Sequence, residues 1–171
     1  PGRDYHYRFI APDGSMSPVG RTKTLPADGA KAWRAAIFSC SNLGFGWFNA
    51  YAHAAARNDI DCAIHLGDYF YEYSPGKYPL PKDVIAGRVP IPQPMHEILV
   101  LADYRLRYAS YRSDPDLRAV HARFPMIVQW DDHESANDSW EGGAENHDPK
   151  TEGDWNPRRA AAIQAYREWM P

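Results

Sequence analysis

The run Ile60-Asp61-Cys62-Ala63-Ile64-His65-Leu66 ends in Gly67-Asp68, and Tyr71 follows three residues after the aspartate. A short apolar run bounded by polar residues suits a strand covered on both faces, as in a parallel sheet flanked by helices. Ligands of such sheets bind beyond the carboxyl ends of the strands. Gly67 lets the backbone pass close to a neighbour there, so Asp68 is placed to hold a ligand, and the phenol of Tyr71 reaches the same point from the following turn. Carboxylate and phenolate oxygens are hard donors, which favours a hard cation.

The segments around this strand alternate strand and helix, without internal repeat or low-complexity stretch. A strand over 33–39, an alanine-rich helix over 46–57 and the Ile60 strand form a βαβ unit whose strands run parallel. After a Pro- and Gly-rich excursion over 74–94, the spacing predicts a helix over 97–111 with Tyr104, Tyr108 and Tyr111 on one core-facing side, and Arg112 is expected to pair with an acid. Asp114-Pro115 opens a further short helix through Leu117 and Val120. Residues 126–130 read as a third buried strand, ending in Asp131-Asp132-His133-Glu134. A polar loop over 135–155, with a Gly142-Gly143 rim, leads to a final helix with Asn156 as N-cap and Pro157 in its first turn.

The first residues differ in kind. Residues 5–9 alternate like a strand, Asp13-Gly14 is a turn, and residues 17–24 form a second strand. A lone hairpin is marginal in water, so residues 1–27 read as the end of a β domain, 28–32 as a linker and 33–171 as part of an α/β domain. The opening Pro1-Gly2-Arg3, with no initiator methionine, reads as that of a processed or excised piece. A hydrophobic share of 44% over 171 residues, with six tryptophans, supports a folded core. The net charge of -3 provides no field to draw a nucleic acid backbone. No apolar stretch approaches the roughly 20 residues of a membrane span.

Parallel strands present their carboxyl ends on one edge, so Cys40, Asp68 with Tyr71, and Asp131-Asp132-His133 are expected to converge. So many acids repel one another unless cations lie between them. Two cations about 3.5 to 4 Å apart form a clamp for hydrolysing phosphate esters, with a metal-bound hydroxide attacking phosphorus in line. Cys40 and Cys62 are not expected to pair. At about 3.3 Å per residue, Cys62 sits on the order of 17 Å below the strand end that carries Cys40, whereas a disulfide needs Cα atoms within about 7 Å. His65 reads as a hydrogen-bonded core residue. His6, His53, His96 and His121 have no partner motif, and His147 reads as a solvated loop residue near the cleft.

Gly67-Asp68-Tyr69-Phe70-Tyr71 matches the Gly-Asp-x-x-Tyr signature of purple acid phosphatases, and Asp132-His133-Glu134 stands where calcineurin-like metallophosphatases have Asn-His-Asp/Glu. Together with Ser39-Cys40-Ser41-Asn42, the run from Tyr108 to Leu117, and Gly142-Gly143-Ala144-Glu145-Asn146-His147, the chain from about Trp33 onward resembles the alkaline phosphatase D (PhoD) family. The resemblance implies part of an αββα-sandwich metallophosphatase preceded by the last strands of an immunoglobulin- or fibronectin-like domain. It implies an Fe(III) and Ca²⁺ site, phosphomonoester and phosphodiester substrates, and an extracellular or periplasmic location. Carried over by position, Cys40 and Tyr71 would ligate iron, Asp68 would bridge iron and calcium, and Asp132 would bind the second metal. Asp131 is expected to point away from Asp132. His133 would contact the substrate phosphate or protonate the leaving group. The family's remaining Asp and His ligands belong to a later half of the catalytic domain, so this chain alone is expected to hold an incomplete site. Two other readings stay open: a noncatalytic phosphate- or Ca²⁺-binding piece completed by a second chain, and a cytosolic nucleotide or nucleic acid phosphodiesterase on the same scaffold.

Overall fold

The computed structural model describes residues 1–85, 87 and 90–171. Two small sheets and five α-helices make up the described part: an antiparallel pair, β1 (Asp4–Tyr7) with β2 (Gly20–Lys23), and a three-stranded parallel sheet in the order β3 (Ala35–Phe38), β4 (Cys62–His65), β5 (Met126–Val128). α1 (Asn49–Ala56) joins β3 to β4, while α2 (Leu101–Arg112) and α3 (Pro115–Arg123) lie between β4 and β5. The short α4 (Pro149–Glu152) and the long α5 (Trp155–Trp169) follow. The expected βαβ unit and the parallel direction of all three strands are therefore present.

Each parallel strand is shorter than the apolar run that contains it. The register Ala36↔Ala63↔Met126 puts one face of the sheet against the helices, and Ala63 is wholly buried there with Tyr104, Tyr108, Tyr111, Leu117, Val120 and Ala162. Full burial of one such large apolar side chain contributes about 1.5–3 kcal/mol. The other face differs from the expectation of a strand covered on both sides. Ile37, Ile64 and Ile127 lie in register across it, and Ile37 is 64% and Ile127 54% exposed, since no described element packs on that face.

The helix starts also depart from the sequence pattern. α2 begins at Leu101 rather than near Glu97 because Asp103 Oδ2 accepts from Leu99 N and Val100 N, closing the first turn there. Ile98 N instead donates to Glu72 O at 3.1 Å. α3 starts as expected, with Asp114 Oδ1 accepting from Asp116 N and Leu117 N. α5 begins at Trp155 with Asp154 as N-cap, so Asn156 lies inside the first turn rather than capping it. Burial of Trp155 against Ala136 and Ala144 draws that residue into the helix. The hairpin of β1 and β2 is not detached, since β2 packs on α3 and Lys23 pairs with Asp61.

Candidate metal centre

The three strand ends meet as parallel order requires. Beyond the ladder, Leu66 N donates to Phe38 O, Cys40 N to Gly67 O, Ser41 N to Asp68 O and Gln129 N to His65 O. These bonds carry the register past the strands into the loops holding Cys40, Asp68 and Asp132. Gly67 adopts φ 103°, and a Cβ there would sit 2.3 Å from Asp131 Cβ. Only glycine lets the two strand ends approach so closely. Cys40 (φ 53°) and Asp68 (φ 52°) both occupy the left-handed region, which costs a non-glycine residue of order 1–3 kcal/mol and clusters at functional sites.

Asp68, Asp132 and His133 come together, each offering a donor atom within 4.8 Å of the others. Tyr71 Oη donates to Asp68 Oδ2 at 3.2 Å. The exposed Cys40 is held beside Asp68 by the backbone bonds of Cys40 N to Gly67 O and Ser41 N to Asp68 O. All five positions named from the sequence therefore share one locus. Asp131 is not among the three clustered donors; its Oδ1 accepts from Asp132 N at 3.0 Å. Asp132 Oδ2 accepts from Asp138 N.

Electrostatically the cluster is poised for a cation. Burial, reinforced by Asp132 and Asp131, raises the Asp68 carboxyl above its ordinary range even though His133 and Cys40 oppose the shift. Asp68 Oδ1 is buried with no hydrogen-bond partner, an expensive arrangement for a carboxylate oxygen unless a positive group meets it. Burial and the neighbouring Asp68 likewise push the Tyr71 phenol upward, and desolvation raises the Cys40 thiol. Each shift opposes ionisation in the absence of a cation, and a metal ion reverses that balance. The oxygen-rich set with one thiol and one imidazole fits a hard divalent or trivalent ion.

Two buried glutamates build the frame, and neither was singled out as a site residue from the sequence. Glu134 is wholly buried and accepts from three backbone N–H groups, those of Asp68, Tyr69 and Asp131. It binds the second strand-end turn to the third. Burial raises its carboxyl to about 7 against the pull of those donors. Glu72, also wholly buried, holds His133 Nδ1 on Oε2 at 2.7 Å and accepts from Asn137 N and Asn146 Nδ2 on Oε1. Burial disfavours the His133 imidazolium, but Glu72, Asp68 and Asp132 outweigh it and raise the group above its usual value. Glu72 follows Tyr71 directly, and Glu134 is the last residue of the Asp132-His133-Glu134 motif; those positions were the available signal.

The tyrosines of α2 also reach the site. Tyr104 Oη donates to Ser135 O at 2.6 Å, next to Glu134, and Tyr111 Oη accepts from Leu43 N at 3.2 Å, just beyond Ser41-Asn42. His65 is a core residue as expected, with Nε2 near Ser41 Oγ and Tyr51 Oη, and burial lowers it to about 4. His121, given no role from the sequence, meets Tyr69 Oη at 2.8 Å. Two expectations fail. Arg112 pairs with no acid among the described residues; it donates to Trp169 O at 2.7 Å and lies over the Tyr69 ring, because the end of α5 packs where an acid was anticipated. The His147 side chain is only 2% exposed and pairs with Glu152 Oε2 at 3.0 Å, so it belongs to an ion-pair cluster with Arg158 rather than to solvent. The Gly142-Gly143 turn is closed on Trp140, whose N–H donates to Gly143 O at 2.9 Å.

The geometry agrees with comparisons to known proteins. The chain is 44% identical to alkaline phosphatase D of Bacillus subtilis (strain 168) over 173 residues, matching 100% of this chain and 28% of that protein. A solved structure of PhoD superposes with a TM-score of 0.85 at 42% identity, covering all of this chain and 31% of the other. The chain thus spans less than a third of the length of the relatives it matches. Residues 35–171, which hold all three parallel strands and every residue of the cluster, match the profile of the PhoD-like phosphatases, and the chain belongs to that family.

Proposed function

We propose that this chain supplies part of the active site of a metal-dependent phosphoesterase that hydrolyses phosphomonoesters and phosphodiesters. The observation that carries the reading is the Asp68, Asp132 and His133 cluster at the edge of a parallel sheet, with Asp68 Oδ1 buried and unpartnered, in a chain of the PhoD-like family. Cys40, Tyr71 and Asp68 would hold Fe(III), and Asp68 and Asp132 would hold Ca²⁺. When bound, such cations neutralise charge on phosphoryl oxygens and make water acidic near neutral pH.

The chain's own residues supply the rest. Glu72 fixes His133 through Nδ1, which leaves Nε2 as the nitrogen available to substrate. A protonated Nε2 would give its proton to the leaving oxygen as the phosphorus–oxygen bond breaks, and Glu72, Asp68 and Asp132 favour the protonated ring against the effect of burial. Glu134 and Gly67 hold the two acidic strand ends in contact, so the donors are positioned before any ligand arrives.

The finer architecture is part of the proposal. The stripe of exposed Ile37 and Ile127 with half-buried Ile64 between them is the face on which the second half of an αββα sandwich would pack, bringing further Asp and His donors to the same edge. The β1 and β2 hairpin would close a preceding immunoglobulin-like domain over 1–27, and the whole enzyme would act outside the cytoplasm.

The test is metal analysis of the full-length protein together with turnover of mono- and bis-(p-nitrophenyl) phosphate. The expected result is bound iron and calcium, a visible phenolate-to-iron absorption band lost in Tyr71→Phe, and no turnover in Asp68→Asn. A colourless, metal-free protein with full esterase activity would overturn the assignment.

A further inference from the structure

Beside the cluster lies a cavity of about 220 Å³ that the chemistry above does not use. Tyr71 is a wall of both: its hydroxyl reaches Asp68, while its ring lines the cavity. Tyr73 and Tyr78 form the adjoining walls, each with its ring 5.6 Å from that of Tyr78 or Tyr71. The His133 ring lies 4.2 Å from Tyr71 and 5.7 Å from Tyr73, so the cavity opens one aromatic ring away from the nitrogen assigned to the leaving group. The rest of the lining is aliphatic, with Val84, Ile91 and Met95 among proline rings.

This cavity is built and held. Arg107 is only 1% exposed, and its guanidinium donates to the carbonyls of Tyr71, Tyr73, Gln93, Pro94 and His96. A buried cation with its donors spent on backbone oxygens fixes the two segments that face each other across the space. Asn42 Nδ2 donates to Tyr78 O at 3.3 Å and ties the loop after β3 to the same wall. With the guanidinium so committed, the cavity offers little to a charged or strongly hydrated group. Apolar and aromatic walls with few polar atoms favour a flat, uncharged substituent.

We propose that this cavity is a specificity pocket for the phosphoesterase reaction, taking an aromatic or similarly apolar substituent of the ester while the phosphoryl group lies at Asp68, Asp132 and His133. The inference rests on the phosphoesterase reading and adds the substrate class to it. Continuity through Tyr71 sets the occupant: a group bonded to the phosphoryl oxygen or to phosphorus reaches the pocket across one ring. Ile91 and Met95, each 59% exposed, form its rim, so a charge introduced there opposes an apolar occupant without disturbing the core.

The test compares phenylphosphonate with methylphosphonate as competitive inhibitors of bis(p-nitrophenyl) phosphate hydrolysis by the full-length protein. The two carry the same charge and differ only in the apolar substituent. Phenylphosphonate is expected to inhibit about tenfold more tightly or better, consistent with burial of the added apolar surface. Met95→Asp and, separately, Ile91→Asp are expected to bring the two inhibition constants together while leaving that of methylphosphonate within about twofold. Equal inhibition constants in the wild type, or a phenyl preference that survives in both variants, would overturn the pocket and leave the phosphoesterase reading standing. No hydrolysis by the wild type would overturn both.

Discussion

His133 Nδ1 lies 2.7 Å from Glu72 Oε2, and Glu72 is wholly buried with its other oxygen engaged by Asn137 and Asn146. The carboxylate therefore accepts from the imidazole and fixes both ring orientation and tautomer, as carboxylates behind functional histidines do.

Glu72→Gln keeps the volume but replaces one acceptor by an N–H₂ group, so one of the three donors around it loses its partner. If the proposed phosphoesterase function holds, the full-length protein is expected to lose about 10–100-fold in kcat with KM little changed. Long-range proton–nitrogen NMR against pH checks the cause: without the Glu72 carboxylate, His133 is expected to release its proton at lower pH than in the wild type. An unchanged His133 titration alongside reduced activity would assign Glu72 a purely structural role.

Gly67→Ala places a methyl group 2.3 Å from Asp131 Cβ at a φ of 103°. Asp131 N and Cα follow at 2.9 and 3.1 Å, and none of these atoms can swing away on a side-chain torsion, so the strand ends must separate. A loss of about 1–3 kcal/mol is expected from denaturant unfolding, with weakened metal binding because Asp68 and Asp132 move apart.

Acid sensitivity has two opposing sources. His65 is lowered by burial to about 4, so the unfolded chain binds a proton that the folded one refuses. Its contribution is full above the ordinary histidine value of about 6.5 and is lost as pH falls toward 4, at up to about 1.4 kcal/mol per pH unit. Glu134, raised to about 7, has the reverse sign: its contribution is full below about 4.5 and is lost as pH rises through 7. Urea unfolding between pH 4.5 and 6.5 should show stability rising less steeply with pH in His65→Gln than in the wild type, and more steeply in Glu134→Gln.

Cation binding should stabilise the fold. Asp68 and Asp132 approach with His133 as the one cationic group of the cluster, so an ion that binds the folded cluster stabilises it by linkage, by about 2.7 kcal/mol at a hundredfold excess over Kd, and raises the melting temperature. Thermal scans with added Ca²⁺ or with a chelator should diverge in the wild type and coincide in Asp68→Asn. Divergence that persists in Asp68→Asn would place the ion elsewhere.

Much of the site was legible because its parts sit at strand ends, where sequence order and parallel topology together imply convergence. Cys40, Asp68, Tyr71, Asp132 and His133 follow short apolar runs, and a βαβ connection leaves little choice about which edge they share. Arg107 and Glu72 were not legible. Each is a charged residue in the interior, and nothing local distinguishes a buried ion with its partners met from a solvated one. The partners of Arg107 are carbonyls 11 to 36 residues away. Arg112 failed for the same reason in reverse, since the partner it found was the backbone end of α5 and no acid.

By itself the sequence determined the chemistry available and the edge on which it gathers, because side-chain period and strand direction are local properties that residues encode directly. Only the tertiary structure decided how that chemistry is held. Glu134 spanning two strand ends, Glu72 aiming His133, and Arg107 drawing five carbonyls around an apolar cavity are long-range contacts, and their energies depend on burial that no segment possesses alone.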